Sequence, residues 1–424
     1  MASAAVVGIN WGDEGKGRMV DLLTKDYDVV VRYQGGGNAG HTIVNEFGTF
    51  ALHLIPSGVF RPGVMNLLGN GVALDPENLL VEMNALREKG VTISPENLRV
   101  SERASLLLPW HRDLDALEEA RLKDRKYGST KQGIAPFYSD KYQKKTLMIG
   151  EILHEDVFFR HLMEIAEWKN LTLAGVYGAA PYTEEMLRKW AESKVFPLKP
   201  YLADTGELLR SLDQAGKNIL FEAQLGALRD LDFGIYPYTT SSNTLASYAP
   251  VGSGFTTAKI DRVVGVVKAY STAVGEGPFV SELFGAEADH LREAGHEYGA
   301  KTGRPRRVGA LDLVATRYGT KLQGATELAV TKLDVLSDLP EIPVCVRYRI
   351  DGEETDRFPM TEDLYRAEPV IRKLPGWQSD ISGVRRFSDL PKEARDYILF
   401  LEEQAGCRVS IVSVGPERQS YIAR

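Results

Sequence analysis

The stretch "VVGINWGDEGKGRMVDLLTKDYDVVVRY", residues 6–33, decides the fold. Residues 4–9, "AAVVGI", form a continuous apolar run, the pattern of a parallel strand covered on both faces. From Lys16, "KGRMVDLLTK" spaces its apolar residues at helical intervals, and "DVVVRY" returns to a strand pattern. Strand, glycine loop, helix and strand make one βαβ unit. A loop of this kind offers backbone N–H groups and a helix N-terminus to phosphate. The usual phosphate-loop spacing is a glycine, four residues, Gly-Lys and then Ser or Thr. Here six residues separate Gly8 from Gly15, and Lys16 is followed by Gly17. Lys16 still places a positive charge beside the phosphates. Asp13 and Glu14 are unusual there, because a carboxylate beside phosphate needs a cation or proton between them. Asp13 therefore either ligates Mg²⁺ in place of the missing hydroxyl or acts as a base toward a second substrate.

Composition bounds the reading. The 424 residues are 43% hydrophobic and 26% charged, enough for one large α/β domain or two to three smaller ones. A net charge of −7 argues against duplex nucleic acid as the main partner. Two cysteines, Cys345 and Cys407, form at most one bridge, which favours a reducing compartment. No basic region precedes the N-terminal apolar run, and no apolar stretch approaches the roughly 20 residues of a membrane helix. A soluble, cytoplasmic protein without membrane or nucleic-acid partners is expected.

The segment at 102–125 reads as helix beyond Pro109, and 151–215 is rich in helix patterns. Residues 101–215 are thus expected to be a helical excursion within a single domain, 1–424. Strand patterns resume at "KNILFEA" (217–223), "RVVGVVKAY" (262–270), "ELAVTKLDVL" (327–336), "IPVCVRYRI" (342–350) and "RVSIVSVG" (408–415). With no linker dividing the chain, strands from both ends are expected to share one sheet. Glycine-rich loops then sit at the strands' carboxyl ends, where open α/β sheets bind ligands.

Three further stretches carry chemistry. In "RYQGGGNAGHT" (32–42), glycines surround Asn38, Gly40 and His41. They permit close approach of a ligand to the main chain, and His41 has the chemistry to donate to a forming oxyanion or phosphoryl oxygen. In "AVTKLDVL" (329–336), an apolar strand leading into Thr-Lys-x-Asp resembles the guanine-reading element of many GTP-binding proteins. Such a short match alone also fits a plain strand-to-turn. As such an element, Asp334 would accept from N1–H and the 2-amino group of guanine. Adenine has neither donor, so this residue would select GTP over ATP. The Lys332 stem would lie over the base, and Ser413 to Gly415 would close its other side. In "HEYGAKTGRPRRVGALD" (296–312), Arg304, Arg306 and Arg307 suit carboxylates and phosphates. The remaining histidines show no metal-ligand spacing.

Together these stretches resemble the adenylosuccinate synthetase family nearly end to end. The carrying motifs are "WGDEGKG" (11–17), "QGGGNAGHT" (34–42), "HLIPSG" (53–58), "GIYPYTTSSNT" (234–244), "KAYSTAVGEGPF" (268–279), "TGRPRR" (302–307) and "TKLDVL" (331–336). "PGW" (375–377) and "SVGP" (413–416) agree. The resemblance implies an α/β fold with a large, mostly parallel central sheet and a phosphate-loop-like GTP site. It implies ligation of IMP and L-aspartate to adenylosuccinate, driven by GTP with Mg²⁺, through a 6-phosphoryl intermediate. Asp13 would remove the N1 proton of the hypoxanthine, His41 would stabilise the transferring phosphoryl group, and Gln224 would support the base. Asp13 and the Gly40 carbonyl would bind the metal. Gly12, Glu14, Gly15, Lys16, Gly17, Thr42, Arg306, Lys332, Asp334, Ser413 and Gly415 would hold GTP. Asn38, Thr130, Thr240 and Arg304 fall on IMP positions, and Lys301, Thr302 and Arg304 on the aspartate loop. The family's IMP site borrows a basic residue across a homodimer, here Lys144.

Departures from the family pattern cluster near IMP. Gly37 stands where many members have histidine, and Gln132 where they have arginine. Lys144 replaces an arginine, keeping charge but losing the bidentate fork. "FEAQLG" (221–226) replaces Phe-Glu-Gly-Ala-Gln-Gly, so the base-supporting glutamine aligns with Leu225 and Gln224 comes one position early. The alternatives are a related synthetase taking dGMP as acceptor, or a GTP-binding module without catalysis. Retention of Asp13 favours IMP.

Overall fold

The computed structural model describes residues 3–45, 47–299, 303 and 305–424. The opening stretch folds as read: β1 (Ser3–Gly8), α1 (Lys16–Leu23) and β2 (Val29–Arg32). Alternate residues of β1 enter two different cores. Ala4 and Val6 pack with Met19 and Val20 of α1, while Ala5 and Val7 pack with Phe221 and Leu209 on the other face. This two-sided burial is why the strand is apolar without alternation.

Pairing departs from the simple βαβ expectation. β1 and β2 are parallel but not neighbours, because Ile219–Glu222 inserts between them. The central sheet has ten strands. Following β3 (His41–Asn45) and β4 (Gly48–Leu52), which form their own hairpin, β5 (Met65–Leu68) joins it beside β2. The order is Tyr421–Ala423, Val409–Ser413, Glu327–Thr331, Arg262–Lys268, β1, Ile219–Glu222, β2, β5, Leu98–Ser101 and Leu202–Ala203. All pairs are parallel except the edge pair made by Tyr421–Ala423.

Two expectations need correction. Strand Glu341–Ile350 is not in the central sheet; it pairs antiparallel with Glu368–Pro375 in a separate four-stranded sheet. Arg347 and Arg349 flank buried Tyr348, the alternation of a sheet wet on one face. The helical excursion, with helices such as Pro109–Leu122 and Glu155–Tyr177 around Trp110 and Phe158, also returns Leu202–Ala203 to the sheet edge.

Register sets up the site. Glu222 lies between Val6 of β1 and Arg32 of β2 at the sheet's carboxyl end.

Candidate active site

The loop from Ile9 to Gly15 turns through left-handed backbone at Gly12 (φ 104°), Asp13 (φ 59°) and Gly15 (φ 93°). Aspartate tolerates this region better than most side chains, so Asp13 projects from a bend built otherwise of glycine. Glu14 closes the loop from inside. Its buried carboxylate accepts from the N–H groups of Asn10 (3.1 Å) and Gly12 (2.8 Å) and pairs with Lys16 Nζ at 2.6 Å. Thr331 donates to the Glu14 carbonyl at 2.7 Å, tying the loop to the strand that precedes Lys332 and Asp334. The Gly15 N-cap of α1 brings no side chain to the first helical N–H groups, the condition for anion binding there.

Gly17 stands where a phosphate loop carries its hydroxyl. A Cβ at this position would lie 2.5 Å from the Cβ of His41. The room a hydroxyl side chain would need is filled by the histidine.

His41 is buried, and its Nδ1 lies 2.6 Å from Glu222 Oε1. Arg32 Nη1 lies 3.3 Å from the same Nδ1, but a nitrogen donating to Glu222 cannot also accept. Arg32 is held instead by Glu222 (3.2 Å) and the His53 carbonyl (2.8 Å). Ser57 donates to Glu222 through its N–H (2.8 Å) and hydroxyl (2.7 Å). Burial alone would raise the Glu222 carboxyl; Arg32, His41 and Ser57 outweigh it and bring the group down to about 2. Burial, with Arg32 nearby, lowers the pKa of His41. With Nδ1 committed, the ring presents Nε2, which is buried and has no hydrogen-bond partner among the described residues.

Two expected IMP residues show the same condition. Asn38 Oδ1 and Thr240 Oγ1 are buried and unpartnered among the described residues. Thr130 and Lys144 are exposed, Lys144 as the left-handed C-cap of helix Ile134–Gln143. Thr42 is exposed next to His41. Gln224 differs from expectation. Its Oε1 accepts from Gly36 N–H (2.9 Å), and its Nε2 donates to the carbonyls of Gly36 (2.8 Å) and His53 (2.7 Å). Both amide hydrogens go to the main chain, so the side chain holds the glycine loop in place, while Leu225 turns through φ 59°. The departures at 37 and 132 are neighbours. A Cβ on Gly37 would meet Asn78 Nδ2 at 2.9 Å and Gln132 Oε1 at 3.9 Å.

Asp13 Oδ2 faces Arg306 Nε at 3.1 Å, an ion pair without an aligned hydrogen bond. Arg306 Nη1 donates to buried Glu297 at 2.8 Å. Lys332 reaches the Gly295 carbonyl and lies 3.5 Å from Glu297. Asp334 is half-buried, and burial raises its carboxyl. Ser413 donates to the Gly415 carbonyl at 3.1 Å and accepts from Arg18, which also donates to the Ser420 carbonyl at 3.0 Å. Burial brings Arg18 down to about 10, against the pull of Asp334 and Asp21. Lys301, Thr302 and Arg304 lie outside the described residues. A cavity of about 1000 Å³ bounded by Arg125, Lys126, Tyr238 and Arg307 shares no residue with the phosphate loop.

Sequence reading missed Arg18 and the supports Arg32, Glu222, Lys268 and Glu297. The signal was present for three of them: Arg32, Glu222 and Lys268 each end an apolar strand of the central sheet. A charge there is buried by position and must find a partner.

A glycine loop leading into α1, an oriented histidine and the Asp334 carboxylate lie at one end of a mostly parallel sheet, in an α/β fold. The chain belongs to the adenylosuccinate synthetase family, a family of ligases, whose model matches residues 5–422. Adenylosuccinate synthetase of Halothermothrix orenii is 46% identical over 100% of this chain and 99% of its own. That of Mycobacterium avium is 46% identical over 100% and 98%. The fully ligated enzyme of Plasmodium falciparum has a TM-score of 0.93 at 34% identity, over 99% of each chain. Cyanophage S-2L succinoaminodeoxyadenylate synthetase, bound to dGMP and dATP, shares the fold with a TM-score of 0.64 at 19% identity, over 100% and 95%. No helix among the described residues is long and apolar enough to cross a membrane.

Proposed function

We propose that the GTP-dependent joining of IMP to L-aspartate, which family membership gives this chain, runs through Asp13 and His41. Asp13 takes the N1 proton of the hypoxanthine, so that O6 attacks the γ-phosphate of GTP. His41 donates from Nε2 to the phosphoryl oxygens in transfer while Glu222 fixes Nδ1–H. The C6 oxygen, a poor leaving group before, then departs as phosphate when the aspartate nitrogen attacks C6. Burial lowers the pKa of His41, and anionic phosphates beside it would favour its protonated form.

Lys16, with the backbone of Gly12, Glu14, Gly15 and Gly17, binds GTP phosphates, with Thr42 and Arg306 alongside. Lys332, Asp334, Ser413 and Gly415 frame guanine. Asn38, Thr130, Thr240 and Arg304 hold IMP; Lys301, Thr302 and Arg304 hold aspartate. Gln224 acts by holding the glycine loop. Lys144 reaches the IMP of a second subunit in a homodimer. Exposed Tyr142 and Met148 near it in sequence supply apolar surface for that contact. The chain acts as one domain in the cytoplasm.

For the metal, the donor set is the Asp13 carboxylate and the Gly40 carbonyl. No group of three or more His, Cys, Asp or Glu among the described residues could hold one. Few, hard oxygen donors suit Mg²⁺, which keeps waters and takes phosphate oxygens. Asp13 and Gly40 would hold the ion, which would supply positive charge to offset the carboxylate and the phosphates.

His41 carries this reading: its Nε2 is buried and has no partner among the described residues, and its Cβ and Cγ lie against Gly17 at the start of α1. The test is succinyl-adenine absorbance with IMP, aspartate, GTP and Mg²⁺, with dGMP for IMP and ATP for GTP in parallel. Product needing IMP and GTP, and lost in Asp13→Ala, is expected. Product from dGMP alone, or an unimpaired variant, would overturn the assignment.

A further inference from the structure

Behind Asp13 lies a buried carboxylate that the mechanism above does not use. Glu297 is fully buried and is the hub of three cations. Its Oε1 accepts from Lys268 Nζ (2.8 Å) and Tyr270 OH (2.5 Å), with Lys332 Nζ at 3.5 Å. Its Oε2 accepts from Arg306 Nη1 (2.8 Å). The main chains join as well, Arg306 N–H donating to the Glu297 carbonyl at 2.9 Å. Arg306 in turn faces Asp13. One carboxylate thus touches both the cation beside the reacting base and the cation of the guanine-reading turn. Lys268, which also donates to Thr272 at 2.8 Å, would neutralise Glu297 by itself; Arg306 and Lys332 are shared between Glu297 and the carboxylates of Asp13 and Asp334.

We infer that Glu297 is a positioning residue, holding Arg306 and Lys332 in register so that guanine recognition and the phosphoryl-transfer centre are set by one buried charge. The inference rests on the roles given above to Asp13, Arg306 and Lys332. Its rival is that Glu297 only neutralises buried Lys268, since an unpaired buried cation is costly.

Two variants of the full chain separate these. Glu297→Gln keeps shape and loses charge. Lys268→Met/Glu297→Gln removes the stranded cation as well. The readouts are melting temperature, KM for GTP, ATP and IMP, and GDP affinity by calorimetry, which needs no turnover. Glu297→Gln is expected to weaken GTP and GDP about tenfold, the loss of roughly one charge-assisted hydrogen bond. ATP should weaken less than GTP, since it shares the phosphates beside Arg306 but not the guanine-reading turn, and IMP should change by less than about twofold. The double variant should regain the melting temperature while GTP and GDP stay weakened. Recovery of GDP affinity together with stability would overturn the inference, as would equal weakening of all three substrates. If the single variant does not fold, the double variant decides alone. Turnover surviving in Asp13→Ala would sink the proposed mechanism and leave the GDP readout standing.

Discussion

Glu222 and Glu297 are both fully buried carboxylates, both kept ionised by cations, and they act in opposite ways. Glu222 spends its oxygens on Arg32, Ser57 and one nitrogen of His41, leaving the other ring nitrogen without a partner among the described residues. Glu297 gathers Lys268, Arg306 and Lys332, of which Arg306 faces Asp13. The first arrangement orients a single imidazole. The second arranges fixed positive charge. A buried acid therefore has no role of its own; what it aims at the ligand decides, and the two should fail differently when altered.

The largest effect is expected at the first cluster. His41→Asn should lower kcat by about 10²–10⁴-fold, the range of a lost general acid, while calorimetric GDP affinity stays unchanged. Glu222→Gln should follow with a kcat loss of about 10²-fold from misoriented imidazole, and a lower melting temperature because Arg32 is stranded. If Glu222→Gln instead raised the KM for GTP and spared kcat, the contrast between the clusters would collapse.

Asp334→Asn should cut the ratio of kcat/KM for GTP over ATP by about 10²-fold, because the amide no longer accepts both guanine donors. Gly17→Ala should lower kcat by about tenfold, as its methyl displaces His41 by a fraction of an ångström to an ångström. Retained activity there would show that the histidine need not sit over α1.

The smallest effect is on stability against pH. The Glu222 pKa is lowered in the fold, from an ordinary value near 4.5 to about 2. Its contribution is whole above the unfolded value and is lost as pH falls through that window. His41 is also lowered, so below its ordinary value the unfolded chain takes up a proton that the folded chain resists. Both act in the same direction: acid should destabilise the protein, and Glu222→Gln should flatten the acid limb of melting temperature against pH.

Much of this was legible in the chain. The βαβ opening follows from apolar runs and glycine. Asp13, Lys16 and His41 stand out as polar side chains in glycine-rich loops after apolar strands, and Asp334 by its place in Thr-Lys-x-Asp after another apolar strand. The supports were harder to read. Glu222 follows "KNILF" and Glu297 lies in "HEYG", and neither sequence context names a partner. Gln224 was read as supporting the base although it falls one position before the family's glutamine; in this structure Gly36 and His53 take its amide.

The sequence by itself determined the opening βαβ unit, the main later strands of the central sheet and the place of the candidate groups at strand ends, since these depend on local propensity and on hydrophobic period. Only the tertiary structure decided that Ile219–Glu222 comes between β1 and β2, that Glu341–Ile350 leaves the central sheet, and that Gly17 makes room for His41. Those are contacts between residues tens to hundreds of positions apart. They are set by which buried surfaces and charges can be satisfied together, a condition no local stretch of the chain contains.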